Sequence, residues 1–481
     1  MKRTFTLLLY LLTVCLAATA QQAKYVFLFI GDGMGVNHVN AAETTLAAAE
    51  GRIGIVPLCF PSLPYGAMVN TYSATNGITD SAAGGTALAS GCKTYNHSIG
   101  TATDSITPLY SIAEWAHRAG YAVGIATTVS IDHATPAAFY AHATDRNRYY
   151  EIGYSLPTTG YEFFAGSDFL KPESGKVNLP APDPKKRTPQ PTNLYDRARS
   201  MGYTIARGYA DYQSLAPKAE RMLLLQSEAA SAINRKSVPY AIDRREGDGS
   251  LSLAQMTQAG IDFLSRSDKG FFFMAEGGKI DWAAHAGDAA TMVREVADMD
   301  DAIRVAYAFY QAHPDETLIV VSADHETGGL ALGTGSYTLH MDYLMQQRVS
   351  VEAYSKALEA RFATGTPTFE QVMDDLRENF GFGAGVPIKE KHIDRLRAAY
   401  DNAVSGEQKT EKSLYASVGE IANTARLIMA DCAHVHWGTG SHTNGYVPAF
   451  AIGVGASCFT GRINNTEIAP RIAEAMGIAM P

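Results

Sequence analysis

The sequence predicts an α/β fold, with a mostly parallel central sheet flanked by helices on both faces and a helical insertion. Three observations carry this. Short apolar runs recur, among them Tyr25–Ile30, Phe271–Ala275 and Leu318–Ser322, each ending in a glycine-rich or polar turn. They are continuous rather than alternating, as strands buried on both faces are. Stretches with helical apolar spacing lie between them. Residue types suited to metal ligation directly follow three of the runs: Asp32, Glu276, and the pair Asp324 and His325.

Taken in chain order, Tyr25–Ile30 reads as a buried strand leading into Gly31-Asp32-Gly33-Met34-Gly35. Ile112–Arg118 reads as a helix and Tyr121–Thr127 as a strand. Leu253–Ser265 has helical spacing before the strand Phe271–Ala275. Arg294–His313 is a helix stopped by Pro314; Leu318–Ser322 and Pro448–Val454 are strands. Two stretches interrupt the alternation. About 171–192 is rich in proline and lysine and predicts a surface loop. About 346–423 is charged and helical in pattern without an obvious catalytic cluster, and predicts an inserted helical subdomain or lid edge.

The chain has 481 residues, 46% hydrophobic and 10% aromatic, which is ample for a large core and argues against disorder. We expect one catalytic domain over 21–481. The net charge of −9, without a basic run, argues against nucleic-acid binding by surface charge. It does not bar an anionic substrate, because bound cations reverse the local field. Residues 1–20 read as a signal peptide: Lys2 and Arg3, the short apolar stretch Leu7–Leu16, then Ala18-Thr19-Ala20 as a cleavage site. An uncleaved anchor, or a lipoprotein through Cys15 after bulky Val14, is a weaker reading. No later segment looks transmembrane, so we expect an exported protein, periplasmic or extracellular, without a stable membrane span. Cys59, Cys92, Cys432 and Cys458 permit disulfides in three pairings, or remain as buried free thiols.

In open α/β sheets, sites form beyond the carboxyl ends of the strands. Asp32, Glu276, Asp324 and His325 would therefore meet at one edge. Asp281 and His285 are four apart and share a face one turn apart if Asp281 opens a helix, a spacing that suits zinc. His442 lies in a loop before a strand. Ser81, in Thr79-Asp80-Ser81-Ala82-Ala83-Gly84-Gly85, would start a helix capped by Asp80 or Thr79, where free N–H groups favour an oxyanion. Taken alone, that segment reads first as a plain N-cap serine.

Together these segments resemble the alkaline phosphatase family through most of the chain outside the two irregular stretches. Gly31–Gly35 resembles its first metal loop, and Thr79–Ala83 its nucleophile motif. His133-Ala134-Thr135-Pro136, with Tyr140-Ala141-His142 and Arg146-Asn147, resembles its magnesium and substrate-arginine segment. Glu276 to His285, Ala323-Asp324-His325-Glu326-Thr327-Gly328-Gly329 and Gly440-Ser441-His442-Thr443 complete the set in order. The resemblance implies an alkaline-phosphatase-like fold and hydrolysis of small phosphate monoesters, with broad specificity, through a phosphoserine on Ser81. It implies two zinc ions and one magnesium ion. Asp281, His285 and His442 would hold one zinc, and Asp32, Asp324 and His325 the other; Asp32, Thr135 and Glu276 would hold magnesium. Arg146 would grip phosphate oxygens through its planar fork. His133 and Trp282 would flank magnesium and phosphate, at positions that vary in the family. A homodimer is also implied.

Two rivals remain. A phosphodiesterase of the same superfamily need not have the third metal site, so Thr135 and Glu276 favour monoesters. A non-catalytic phosphate- or metal-binding protein would have lost a nucleophile or ligand, and none is missing. A sulfatase would need Arg four residues after its nucleophile, where Ser81 has Gly85. His38, His97, His117, His142, His434 and His436 carry no assigned role; the last two lie near His442 in sequence and are candidates for supporting contacts. Glu326 reads as a hydrogen-bonded loop carboxylate.

Overall fold

A computed structural model describes residues 22–173, 192–245 and 247–480. The leader expected over 1–20 and most of the loop expected near 171–192 lie outside the described residues. The sheet has ten strands: β1 (Tyr25–Gly31), β2 (Tyr65–Asn70), β3 (Ala122–Thr127), β4 (Phe163–Gly166), β5 (Tyr203–Arg207), β6 (Arg221–Leu225), β7 (Phe271–Gly277), β8 (Thr317–Ser322), β9 (Val447–Gly453) and β10 (Gly461–Asn464). Their order across the sheet is β10-β2-β9-β8-β1-β7-β3-β4-β6-β5. Every pairing is parallel except the two made by β9, with β8 and with β2.

The central strands β1, β7, β3 and β8 are buried along their whole length, which is why they read as unbroken apolar runs. Successive side chains nevertheless face opposite layers. Phe271 and Phe273 meet Phe27 at 5.2 and 6.2 Å, whereas Phe272 meets Phe139 across the sheet. Helix α1 (Ser81–Ser90), Ile112–Arg118 and Ile468–Met476 pack together in one layer. Leu253–Leu264 and α3 (Ala289–Ala312) form the other, and α2 (Lys279–His285) joins α3.

Helix α3 starts five residues before the expected Arg294, because Asp288 caps it, accepting from Thr291 N at 3.1 Å. The strand expected at Pro448–Val454 is β9, correct in place, and it runs against its neighbours. The stretch expected to be helical contains α4 (Val351–Thr364), α5 (Phe369–Phe380) and α6 (Glu390–Ser405). It then forms a hairpin, Thr410–Lys412 with Ser417–Gly419, before α7 (Glu420–Ala433). Cys59, Cys92, Cys432 and Cys458 are all free thiols, which closes the disulfide alternative in this structure. No helix among the described residues is long and apolar enough to cross a membrane.

The insertion is fastened to the catalytic layer by Asp288. Its carboxylate also accepts from Gln347 Nε2 at 2.9 Å and from Val351 N, the first residue of α4, at 2.9 Å. Asp288→Ala would strand these donors in a buried setting, so it should cost about 2–4 kcal/mol of stability. Urea unfolding of the metal-loaded protein checks this; a loss below about 0.5 kcal/mol would contradict the role given to Asp288.

Candidate active site and metal centre

The carboxyl ends of β1, β7 and β8 deliver Asp32, Glu276, and Asp324 with His325 to one edge of the sheet. The register places Glu276 opposite Ile30 on one side and Thr127 on the other. Because β9 is reversed, its amino end lies at this same edge, and the loop before it brings His442. A two-residue ladder fixes the position, with His442 opposite Thr327 and Thr443 opposite Glu326. The carboxyl end of β2 leads through Thr79 and Asp80 to Ser81 at the start of α1.

Three groups of side chains have donor atoms close enough to share a cation: Asp281, His285 and His442; Asp32, Asp324 and His325; and Asp32, His133 and Glu276. The first two match the expected zinc sets. The third holds two of the expected magnesium residues, Asp32 and Glu276, together with His133. Thr135 stands beside it, its hydroxyl 3.4 Å from Asp324 Oδ2.

The donor chemistry fits cations. His285 Nδ1 donates to Gly440 O at 2.7 Å and His442 Nδ1 donates to Thr79 O at 2.9 Å. A carbonyl can only accept, so each ring turns an Nε2 lone pair inward. Those two Nε2 atoms lie 3.1 Å apart, with Asp281 Oδ1 at 3.4 Å from His285 Nε2. Thr327 Oγ1 donates to Asp281 Oδ1 at 2.5 Å, so its lone pair faces His325 Nδ1 at 3.2 Å. That aims His325 Nε2 at Asp32 Oδ1, 3.3 Å away, and Asp324 Oδ2, 3.5 Å away. Both carboxylate oxygens of Asp32, Asp281 Oδ2 and Glu276 Oε1 are buried with no hydrogen-bond partner. Lone pairs held face to face with no proton between them call for positive charge.

Ser81 is fully buried, and its Oγ lies 3.1 Å from His325 Nε2. Asp80 is the N-cap of α1: Oδ1 accepts from Ala83 N at 3.0 Å, while Oδ2 accepts from Arg146 Nη1 at 3.0 Å. Burial opposes the charge on Asp80, but Arg146 and the Ala83 and His97 amides outweigh it and hold the carboxyl below its usual range. The small residues after Ser81 let α1 approach the metal edge. A Cβ at Gly84 would lie 2.7 Å from the Asp324 carbonyl oxygen. Gly33, at φ +70°, turns the first loop where a side chain would strike Thr327 and Asp281.

Arg146 Nη2 is 3.4 Å from His133 Nε2 and donates to the Tyr415 hydroxyl at 3.1 Å. Tyr415 comes from the insertion and stacks on Trp282, ring centres 4.5 Å apart. Sequence reasoning missed Tyr415, Thr327 and the second role of Asp80. Only the Asp-Ser pair at a helix start hinted at the last of these. His434 pairs with Thr338 O and His436 lies on an exposed strand position, so neither supports His442. Glu326 is the expected loop carboxylate, accepting from Gly329 N at 3.0 Å and from the Thr443 hydroxyl.

Burial pushes Glu276 up to about 8 and Asp324 up to about 7, and raises Asp32 well above its usual range, with the neighbouring carboxylates adding to the shift. Burial and the neighbouring Arg146 keep His133 neutral. In the metal-free protein the folded state therefore keeps protons that the unfolded chain has released above about pH 4. Its stability should fall as pH rises from about 5 to 8, and cations should restore it. Metal loading should raise the unfolding temperature of chelator-treated protein more at about pH 8 than at about pH 5.5. Equal increments at both would contradict it.

Comparison with known proteins identifies the family. The alkaline phosphatase family profile matches residues 23–163 and 210–478. Alkaline phosphatase 3 of Bacillus subtilis is 31% identical over 461 residues, spanning 95% of this chain and 89% of that protein. The Escherichia coli alkaline phosphatase is 29% identical over 333 residues, 63% of this chain and 70% of its own. The cold-active enzyme from Shewanella sp. superposes with a TM-score of 0.78 at 27% identity, covering 94% of this chain and 99% of that one. The Thermus thermophilus alkaline phosphatase gives 0.75 at 28%, covering 96% and 94%. The chain belongs to the alkaline phosphatase family and is a phosphatase.

Proposed function

We propose that the chain hydrolyses phosphate monoesters of broad structure to an alcohol and inorganic phosphate through a phosphoserine on Ser81, with two zinc ions and one magnesium ion. One observation carries the reading: a fully buried serine hydroxyl at the start of a helix, 3.1 Å from an inward-facing imidazole nitrogen, between side-chain groups that need cations. Asp281, His285 and His442 would hold one zinc, and Asp32, Asp324 and His325 the other. Asp32 and Glu276, with Thr135 and His133 beside them, would hold magnesium. Bound there, the cations supply the positive charge that lowers the pKa of oxygen nucleophiles and neutralises a departing alkoxide.

The chain's own residues set the geometry. Ser81 Oγ attacks phosphorus; the Ser81 O–P bond forms as the ester P–O bond breaks, and the alcohol leaves with a proton. Water then attacks the phosphoserine, phosphate departs and Ser81 recovers its proton. Among the described residues His325 is the side chain bonded to Ser81 Oγ; with its Nε2 lone pair engaged by a cation it would not take the serine proton, which would leave to solvent. The guanidinium of Arg146, anchored by Asp80, faces the phosphoryl oxygens, and the amino end of α1 adds N–H groups. The site opens into a cavity of about 330 Å³ lined partly by Leu170, Asn147 and Lys236. Few groups there are aimed at a leaving group, which supports broad specificity. Thr135 and Glu276, which lie beyond the two zinc sets, favour a monoesterase over a diesterase; turnover of p-nitrophenyl phosphate against bis-p-nitrophenyl phosphate distinguishes the two.

Ser81→Ala should lower turnover by roughly 10³-fold or more with zinc content unchanged, because the three groups are built from Asp, Glu and His side chains that the substitution leaves in place. Acid quench of the wild type with substrate, followed by mass spectrometry, should find phosphate on Ser81; phosphate on another residue would refute the assignment. His442→Ala should release one zinc and retain the other, read by metal analysis of purified protein. Two zinc ions held at wild-type affinity would overturn the first site.

A further inference from the structure

The hairpin Thr410–Lys412 and Ser417–Gly419 forms a roof at the site. Its turn is tight: Ser413 N donates to Ala416 O at 2.9 Å, and Ala416 N to Ser413 Oγ at 3.1 Å. The turn sends Leu414 outward, 61% exposed, and Tyr415 inward. The base of the hairpin is fixed to the insertion. Gly419 N donates to Ser355 Oγ on α4 at 2.8 Å. Glu420 accepts from Lys409 N at 2.8 Å and from Asn402 Nδ2 on α6 at 2.9 Å.

The inward ring is held on several sides. It stacks on Trp282 at 4.5 Å and 13°, and stands edge-on to His133 at 5.7 Å and to His285 at 5.6 Å. Tyr415 is thereby placed between the first zinc-type group and Arg146. Its hydroxyl accepts from Arg146 Nη2 at 3.1 Å. No group among the described residues accepts the phenolic proton. The cavity that the ring borders is also lined by Asp80, Arg146, His133 and His442. A hydroxyl that accepts from a guanidinium is polarised into a better donor. Its free proton lies beside the fork that would face a phosphoryl dianion.

From this we infer that Tyr415 is a substrate-contacting residue: its hydroxyl, held by Arg146, donates to a phosphoryl oxygen, while its ring closes the site above Trp282. The inference rests on the phosphomonoesterase reading and deepens it. It gives the insertion a part in phosphate recognition.

The test uses the zinc- and magnesium-loaded full chain and inorganic phosphate as the probe. Tyr415→Phe keeps the ring and removes only the donor. It should weaken phosphate binding by calorimetry, and raise the phosphate inhibition constant, by roughly three- to twenty-fold. Zinc content should be unchanged. In an Arg146→Ala background, Tyr415→Phe should still weaken phosphate, because the contact is direct. Wild-type affinity in Tyr415→Phe would overturn the inference. So would an effect that vanishes without Arg146, which would make Tyr415 only a positioning residue, or a loss of zinc, which would assign it to His285. A wild type that binds phosphate in the predicted Tyr415-dependent way yet fails to hydrolyse phosphate monoesters would instead refute the functional reading alone.

Discussion

Electrostatic repulsion at the carboxyl edge of the sheet governs the architecture of this protein. Asp32, Glu276, Asp281 and Asp324 are all fully buried within one small volume. Three imidazole rings turn lone pairs toward them. In a low-dielectric interior such an arrangement is costly unless cations or protons fill it. The direction of the shifts at Asp32, Glu276 and Asp324 expresses that cost: burial and the neighbouring carboxylates favour the protonated, neutral form of each. Packing of the central strands supplies the stability that holds the set together. The buried phenylalanines of β1 and β7 form its rigid floor.

The site is built by hydrogen bonds behind the candidate ligand atoms as much as by those atoms themselves. The Gly440 and Thr79 carbonyls fix the tautomers of His285 and His442, and Thr327 couples Asp281 to His325. Asp324 Oδ1 is held by Gly33 N at 3.2 Å and by its neighbour His325 N at 3.0 Å. Thr127 bonds Glu276 across the β3–β7 register. These partners come from several different strand ends and loops. The geometry is therefore a property of the sheet edge rather than of any one motif.

Asp80 joins two parts of the chemistry. It caps the helix that begins with Ser81, and it anchors the guanidinium of Arg146. The proposed nucleophile and the guanidinium proposed to face phosphate thus share one carboxylate. The insertion completes this side of the site from far along the chain, through Tyr415 on Trp282 and against Arg146. Asp288 and the bonds at the hairpin base keep that roof in register with the catalytic layer.

The sequence by itself determined the sheet-and-helix alternation, the helix at Ser81, and the residue types of two cation groups. Buried parallel strands must be apolar throughout, and strand-end ligands must directly follow them, so both leave local patterns. The early start of α3 was less legible, because its signal is a single capping aspartate ahead of two alanines. The tertiary structure alone decided what depends on pairing across long separations. It reversed β9, so that His442 enters the edge where the other strands end. It placed a His133 nitrogen in the third group, and it turned Thr327 from a motif residue into a relay between ligands. It also carried Tyr415 from a stretch with no catalytic pattern to Arg146, 269 residues away in sequence. None of these has a periodicity to read, because the direction of a strand and the reach of a hairpin are set by what they pack against.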